Sequence, residues 1–202
     1  MKKENKQRLT IKKNEKNNKI SPLIHDLKSK DGMVREKARE KLVSIGAPAG
    51  SHLAELINQP AAALRWEAVK ALGQIADPDA TSLFITALCD KDEEVRWLAA
   101  EGLIAVGTHA IGPLLQELVK NSKSALLRKG AHHYFGAIRK LTESSRFNDL
   151  MSSLDGDDPE LSTPVAAEKL LKFMWVSRAF PISSNQFNCN GGVQNGQSGD
   201  NL

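Results

Sequence analysis

Trp66 and Trp97 stand 31 residues apart, each directly after an arginine and each followed four positions later by a charged residue, Lys70 or Glu101. Large rigid rings beside charge do recognition chemistry: they bury area against a partner and orient it by ion pairing. Bond-making chemistry has no comparable signature. The phosphate-cradling G-x-x-x-x-G-K-[ST] and G-x-G-x-x-G loops, the G-x-S-x-G elbow and the H-E-x-x-H pair are all missing from the sequence. His132 and His133 are adjacent; on a helix they diverge by about 100° and cannot chelate one ion together, so packing or surface roles are expected of them. Cys89 and Cys189 are far apart, one on a polar turn and one in a polar tail. They frame neither a disulfide scaffold nor a zinc site, and nothing around them activates a thiolate. No catalytic residue, metal ligand or cofactor is expected.

The elements that must position the two rings follow from a repeated template. In Asp92–Gly107, DEEVRWLAAEGLIAVG, Arg96 is preceded by Val95 and followed by Ala99, Leu103 and Val106 at +3, +7 and +10. The same offsets around Arg65 give Leu64, Ala68, Leu72 and Ile75, and around Arg35 they give Val34, Ala38, Leu42 and Ile45. Around Arg128 they give Leu127, Ala131, Phe135 and Ile138. At 3.6 residues per turn these offsets form one apolar stripe, so the spacing predicts a helix in each copy. A second apolar segment precedes each: Leu23, Ile24 and Leu27; Leu53, Leu56 and Ile57; Leu83, Phe84 and Leu88; Leu114, Leu115, Leu118 and Val119. Each unit is thus two helices joined by a short polar turn, and neither helix can bury its stripe unless the units stack. The fold class is all-α, a solenoid of stacked helical hairpins.

A period near 31 with these residues resembles the HEAT-repeat family, in its short bacterial, bilin-lyase-like form. The strings that carry the likeness are VREKAREKLVSIG, LRWEAVKALGQIA and VRWLAAEGLIAVG, with LRKGAHHYFGAIR more degenerate, covering about residues 20–141. The resemblance implies that Arg35, Arg65, Arg96 and Arg128 tie one unit to the next by hydrogen bonds, though the fourth unit lacks the accompanying acids. An alternative for these arginines is an anion-binding ladder. It also implies that second helices line a concave face, where positions one repeat apart become neighbours. Trp66 and Trp97 then sit side by side, flanked by Lys70 and Glu101, at the centre of a partner-binding surface. The competing packing tucks both rings between helices to complete the core.

Charge is uneven along the chain. Residues 1–19 carry +6, residues 20–144 only +1, and the remainder −3. The Lys/Asn-rich arm, residues 1–19, and the Gly/Asn/Gln/Ser-rich tail, residues 181–202, have little to bury and are expected to be disordered. Between them lie four repeats, residues 20–144, and a degenerate fifth repeat or capping pair, residues 145–180. Within this frame, Ser21 is expected to cap the first helix with Pro22 opening it, and Thr163 and Pro164 to do the same for the last. Trp175 is expected in the core. No apolar run is expected to be long enough to cross a bilayer. With no apolar segment behind the charged amino terminus, a cytoplasmic location is the expectation.

The leading functional expectation is a non-enzymatic interaction module, or scaffold, holding a protein partner on its concave face. One alternative is a bilin-lyase-like subunit acting with a partner. Another is nucleic-acid binding through the basic arm, although no aromatic residue is interleaved there to stack on bases. Along the repeats, Glu36, Glu40 and Glu101 are a poor lining for phosphate.

Overall fold

The computed structural model describes residues 19–142 and 144–177, and the expectations for the arm and the tail lie outside the described residues. Every regular element among the described residues is helical. The first unit pairs α1 (residues 19–26) with α2 (Gly32–Ile45), and the second α3 (Gly50–Ile57) with α4 (Ala62–Ile75). The third pairs α5 (Thr81–Ala87) with α6 (Glu93–Val106), and the fourth α7 (Ile111–Lys120) with α8 (Ala125–Leu141). A last pair follows, α9 (Asn148–Asp155) and α10 (Pro159–Ser177). The chain is an α-solenoid of helical hairpins.

Local chemistry sets the helix ends. Asp31, Asp92 and Ser124 cap α2, α6 and α8, each side chain accepting backbone N–H bonds from the first turn. Gly46 and Gly107 follow α2 and α6 at φ of 75° and 66°, where a Cβ is penalised. After α4, Ala76 takes φ 54° in their place. It holds that less favourable conformation because Asp77-Pro78 starts a 3-10 turn immediately afterwards, capped by Asp77 itself.

The template stripe is the core. Ala38, Leu42, Ala68, Leu72, Ala99, Leu103, Ala131 and Phe135 are all buried. The second helices form one layer, α2 on α4, α4 on α6, α6 on α8, and the first helices pack beside them. Val34, at the open end, is 36% exposed because no earlier second helix covers it. The closest approach is between α4 and α6, where a Cβ on Gly73 would sit 3.5 Å from the Gly102 Cα. A Cβ on Gly102 itself would fall 2.3 Å from the buried Phe84 ring. Gly102→Ala is therefore expected to cost about 1–3 kcal/mol by overpacking, read by urea unfolding; a stability equal to the parent would mean that α5 and α6 can part freely.

Four expectations are corrected. Ser21 is not a cap, because the helix already includes Lys19 and the fully buried Ile20, and Pro22 lies within it. Likewise Thr163 does not start α10. Pro159 opens that helix, Thr163 is buried with its hydroxyl donating to the Ser153 carbonyl at 3.4 Å, and Pro164 lies inside. Trp175 is 77% exposed rather than core, since Ala167, Leu170 and Met174 already supply the buried face of α10 and the next residue turns about 100° away. Finally, one stretch, Glu93–Lys120, is long and apolar enough to cross a membrane by length and composition, an 18-residue window within it reaching a mean hydropathy of 1.4. It is α6, a 3-10 turn and α7, and 61% of that window is buried in the protein's own core.

The last pair is inverted relative to the repeats. α9 packs against α8, continuing the second-helix layer, while α10 packs mainly on α7 in the other layer. The row of long second helices therefore ends at α8, with only the short α9 beyond it.

Candidate functional site: a groove across three second helices

The residue after each repeat arginine points away from the core stripe, toward the face that α4, α6 and α8 share. A groove of about 1010 Å³ runs across these helices. Trp66 and Lys70 line it from α4, Trp97 and Glu101 from α6, so the structure brings together all four residues singled out in the sequence. Gly73, Ala100, Gly102 and Ala105 also line it, and their small side chains leave the groove open between the rings.

The two tryptophans are not equivalent. Trp97 is 57% exposed, whereas Trp66 is partly buried and packs against the core. Two cations lie over the Trp66 ring, Lys70 Nζ at 4.3 Å and Arg39 Cζ at 5.7 Å from its centroid. Neither earlier expectation fits both rings. A neighbouring second helix, α2, supplies Arg39 to cover Trp66, and among the described residues nothing equivalent covers Trp97.

Two further residues belong to the groove that were not singled out from sequence: Lys129 and His133 of α8. The signal was available, because they occupy the same template positions, +1 and +5, as the tryptophans and as Lys70 and Glu101. His133 Nε2 sits 2.7 Å from Glu101 Oε1, and Lys129 Nζ 3.5 Å from Glu93 Oε1. Both pairs are solvent-exposed and hold the rim in place more than they stabilise the fold. Adjacent His132 turns the other way, to Asp155 at 3.0 Å, as the helical wheel requires. Glu36 and Glu40 hold the same positions on α2 and are exposed outside the groove. No cluster of His, Cys, Asp and Glu able to hold a metal occurs among the described residues.

The repeat arginines sit at the joints between units, and Arg96 also lines the groove. Arg35 donates Nε to Glu67 Oε1 at 3.1 Å, and Glu67 also accepts from Arg39 at 2.5 Å. Arg65 forms a two-pronged pair with Asp90, 2.7 and 2.8 Å, across the junction of the second and third units. Burial pushes the Asp90 carboxyl up, but the Arg65 hydrogen bonds, the Asp92 N–H and the nearby positive charges outweigh it, and it ends below its ordinary value. Arg128 reaches Glu160 at 3.8 Å and its own Ser122 carbonyl. Arg96 bonds only to the carbonyls of Asp90 and Lys91.

Stacked helical hairpins with an arginine at each repeat's joint and an open groove along the second helices define a repeat-solenoid protein. The family model described as HEAT repeats matches residues 50–135. Over that span the chain is similar to HEAT repeats, which generally mediate protein–protein interaction or scaffolding. No curated protein and no solved structure matches the sequence.

Proposed function

We propose that this chain is a non-enzymatic interaction module that holds a protein partner in the groove across α4, α6 and α8. The single observation that carries the reading is Trp97: a large ring more than half exposed, at the middle of a groove walled by Trp66, Lys70 and Glu101. An exposed aromatic among well-packed neighbours has the composition of an interface hot spot, where one ring supplies much of the binding energy. Its burial by a partner removes apolar area from water, which the isolated protein leaves uncovered.

The two rings separate binding from folding. Trp97→Ala is expected to leave urea unfolding within about 0.5 kcal/mol of the parent, as for a surface change. Trp66→Ala is expected to cost about 1–3 kcal/mol, because its ring packs on the core and under two cations. Tryptophan emission should be read in a Trp175→Phe background, since Trp175 is itself exposed. The decisive test places a photo-crosslinking amino acid at position 101, in the groove, or at position 86, exposed on α5, in cells of the native host. One protein captured from 101, absent from 86 and lost with Trp97→Ala, supports the reading. Equal capture at both positions, or capture unaffected by Trp97→Ala, overturns it.

A further inference from the structure

Each repeat arginine has two guanidinium edges, and the first three repeats use them by a common rule. One edge, through Nη1, donates to carbonyls five and six residues back in the unit's own turn: Ser29 and Lys30 for Arg35, Gln59 and Pro60 for Arg65, Asp90 and Lys91 for Arg96. The other edge crosses to a carboxylate of the next unit, Glu67 for Arg35 and Asp90 for Arg65. At Arg96 this crossing edge has no carboxylate partner among the described residues. The reason is readable in the chain. Asn121 stands 31 positions after Asp90, and its amide is turned away, donating Nδ2 to Glu117 Oε1 at 2.6 Å.

Arg96 lines the groove next to Trp97. Across the groove, Lys70 sits over the Trp66 ring and likewise has no carboxylate partner among the described residues. Of the three groove acids, Glu93 and Glu101 are engaged by Lys129 and His133, and Glu94 lines the rim beside Glu93. Resting on the groove reading above, we infer that the occupant is an acidic protein segment, with one carboxylate docked on the crossing edge of Arg96 and an adjacent apolar side chain laid on Trp97. A guanidinium fork matches a carboxylate in two parallel hydrogen bonds, which fixes the register as well as the sign of the partner. A nucleic-acid backbone would also suit the fork, but Glu93 and Glu94 on the same rim repel a continuous polyanion. A single carboxylate on a mixed peptide avoids them.

The test uses the full chain and three labelled probes, read by fluorescence anisotropy at low ionic strength: a short amphipathic peptide of Glu and Leu, its Gln isostere, and a single-stranded oligonucleotide. The Glu peptide is expected to bind about tenfold more tightly than the Gln peptide, the ratio that one charge-assisted fork commonly supplies. Arg96→Gln should bring that ratio to about one while both peptides still bind on Trp97. A second variant, the swap Glu117→Gln with Asn121→Asp, is expected to do the same without altering a groove residue. It keeps the 117–121 hydrogen bond with its direction reversed, conserves net charge, and gives the crossing edge an internal carboxylate. Equal binding of the Glu and Gln peptides to the parent chain, or a ratio that survives the swap, overturns the carboxylate inference and leaves the groove reading intact. Binding of neither peptide, or binding that ignores Trp97→Ala, overturns both. An oligonucleotide that displaces the Glu peptide replaces the acidic protein segment as the occupant.

Discussion

Asp90→Asn is expected to destabilise the solenoid by about 3–5 kcal/mol at neutral pH. Arg65 and Asp90 are both nearly buried, their side chains 5% and 9% exposed. Asparagine can still accept the Asp92 N–H and the Arg65 Nη2–H through Oδ1, so the substitution removes the charge and the acceptor for Arg65 Nε, leaving the guanidinium buried without its carboxylate. Because a solenoid's stability is a sum of units and nearest-neighbour interfaces, the loss falls on the joint between the second and third units. Urea unfolding followed by circular dichroism should split into two steps. The pH dependence carries a definite sign. The folded Asp90 carboxyl lies below its ordinary value of 3.8, so its contribution is complete above that value and is lost as pH falls through the lower, folded one. The gap between parent and variant should therefore close only in strong acid, below pH 3.8. A gap that is small at neutral pH, or unchanged on acidification, would show that the pair adds nothing to the joint.

Leu103→Ala and Leu72→Ala are each expected to cost about 2–5 kcal/mol, because each opens a cavity in the shared core. Both leucines occupy the +7 template position, 0% and 1% exposed, in the two second helices that pack most closely. Leu126→Ala is the internal control: that side chain is 38% exposed at the groove's edge, and its truncation should cost under about 0.5 kcal/mol. Equal costs at all three positions would mean that the stripe does not separate core from surface.

The helical hairpins were legible because a helix face is a local property: offsets of 3, 7 and 10 from each arginine must fall on one side whatever the helix packs against. The same arithmetic placed Trp66, Lys70, Trp97 and Glu101 on one face, and applied to Arg128 it also reaches Lys129 and His133. The signals that misled were local ones with two readings. Ser-Pro and Thr-Pro look like helix starts, yet Pro22 and Pro164 fall within helices that begin earlier, because Ile20 had core to bury and Pro159 could open α10 first. Trp175 looked like core by its type alone, and only the packing of α10 against α7 and α9 determines which of its residues face inward.

What the tertiary structure alone decided is how equivalent positions become unequal. Trp66 and Trp97 share a template position, but α2 brings Arg39 onto one ring and leaves the other uncovered. The four repeat arginines share one template position, yet two find carboxylates close across a joint, one has a distant partner in Glu160, and Arg96 has none among the described residues. The layer exchange of α9 and α10, which ends the row of long second helices, depends on which neighbour each apolar face reaches. The sequence of this protein determines its helices and their faces, since those follow from spacing within a few turns. Pairing across units depends on side chains 25 to 35 residues apart meeting at a joint, and that distance is set only when the stack closes.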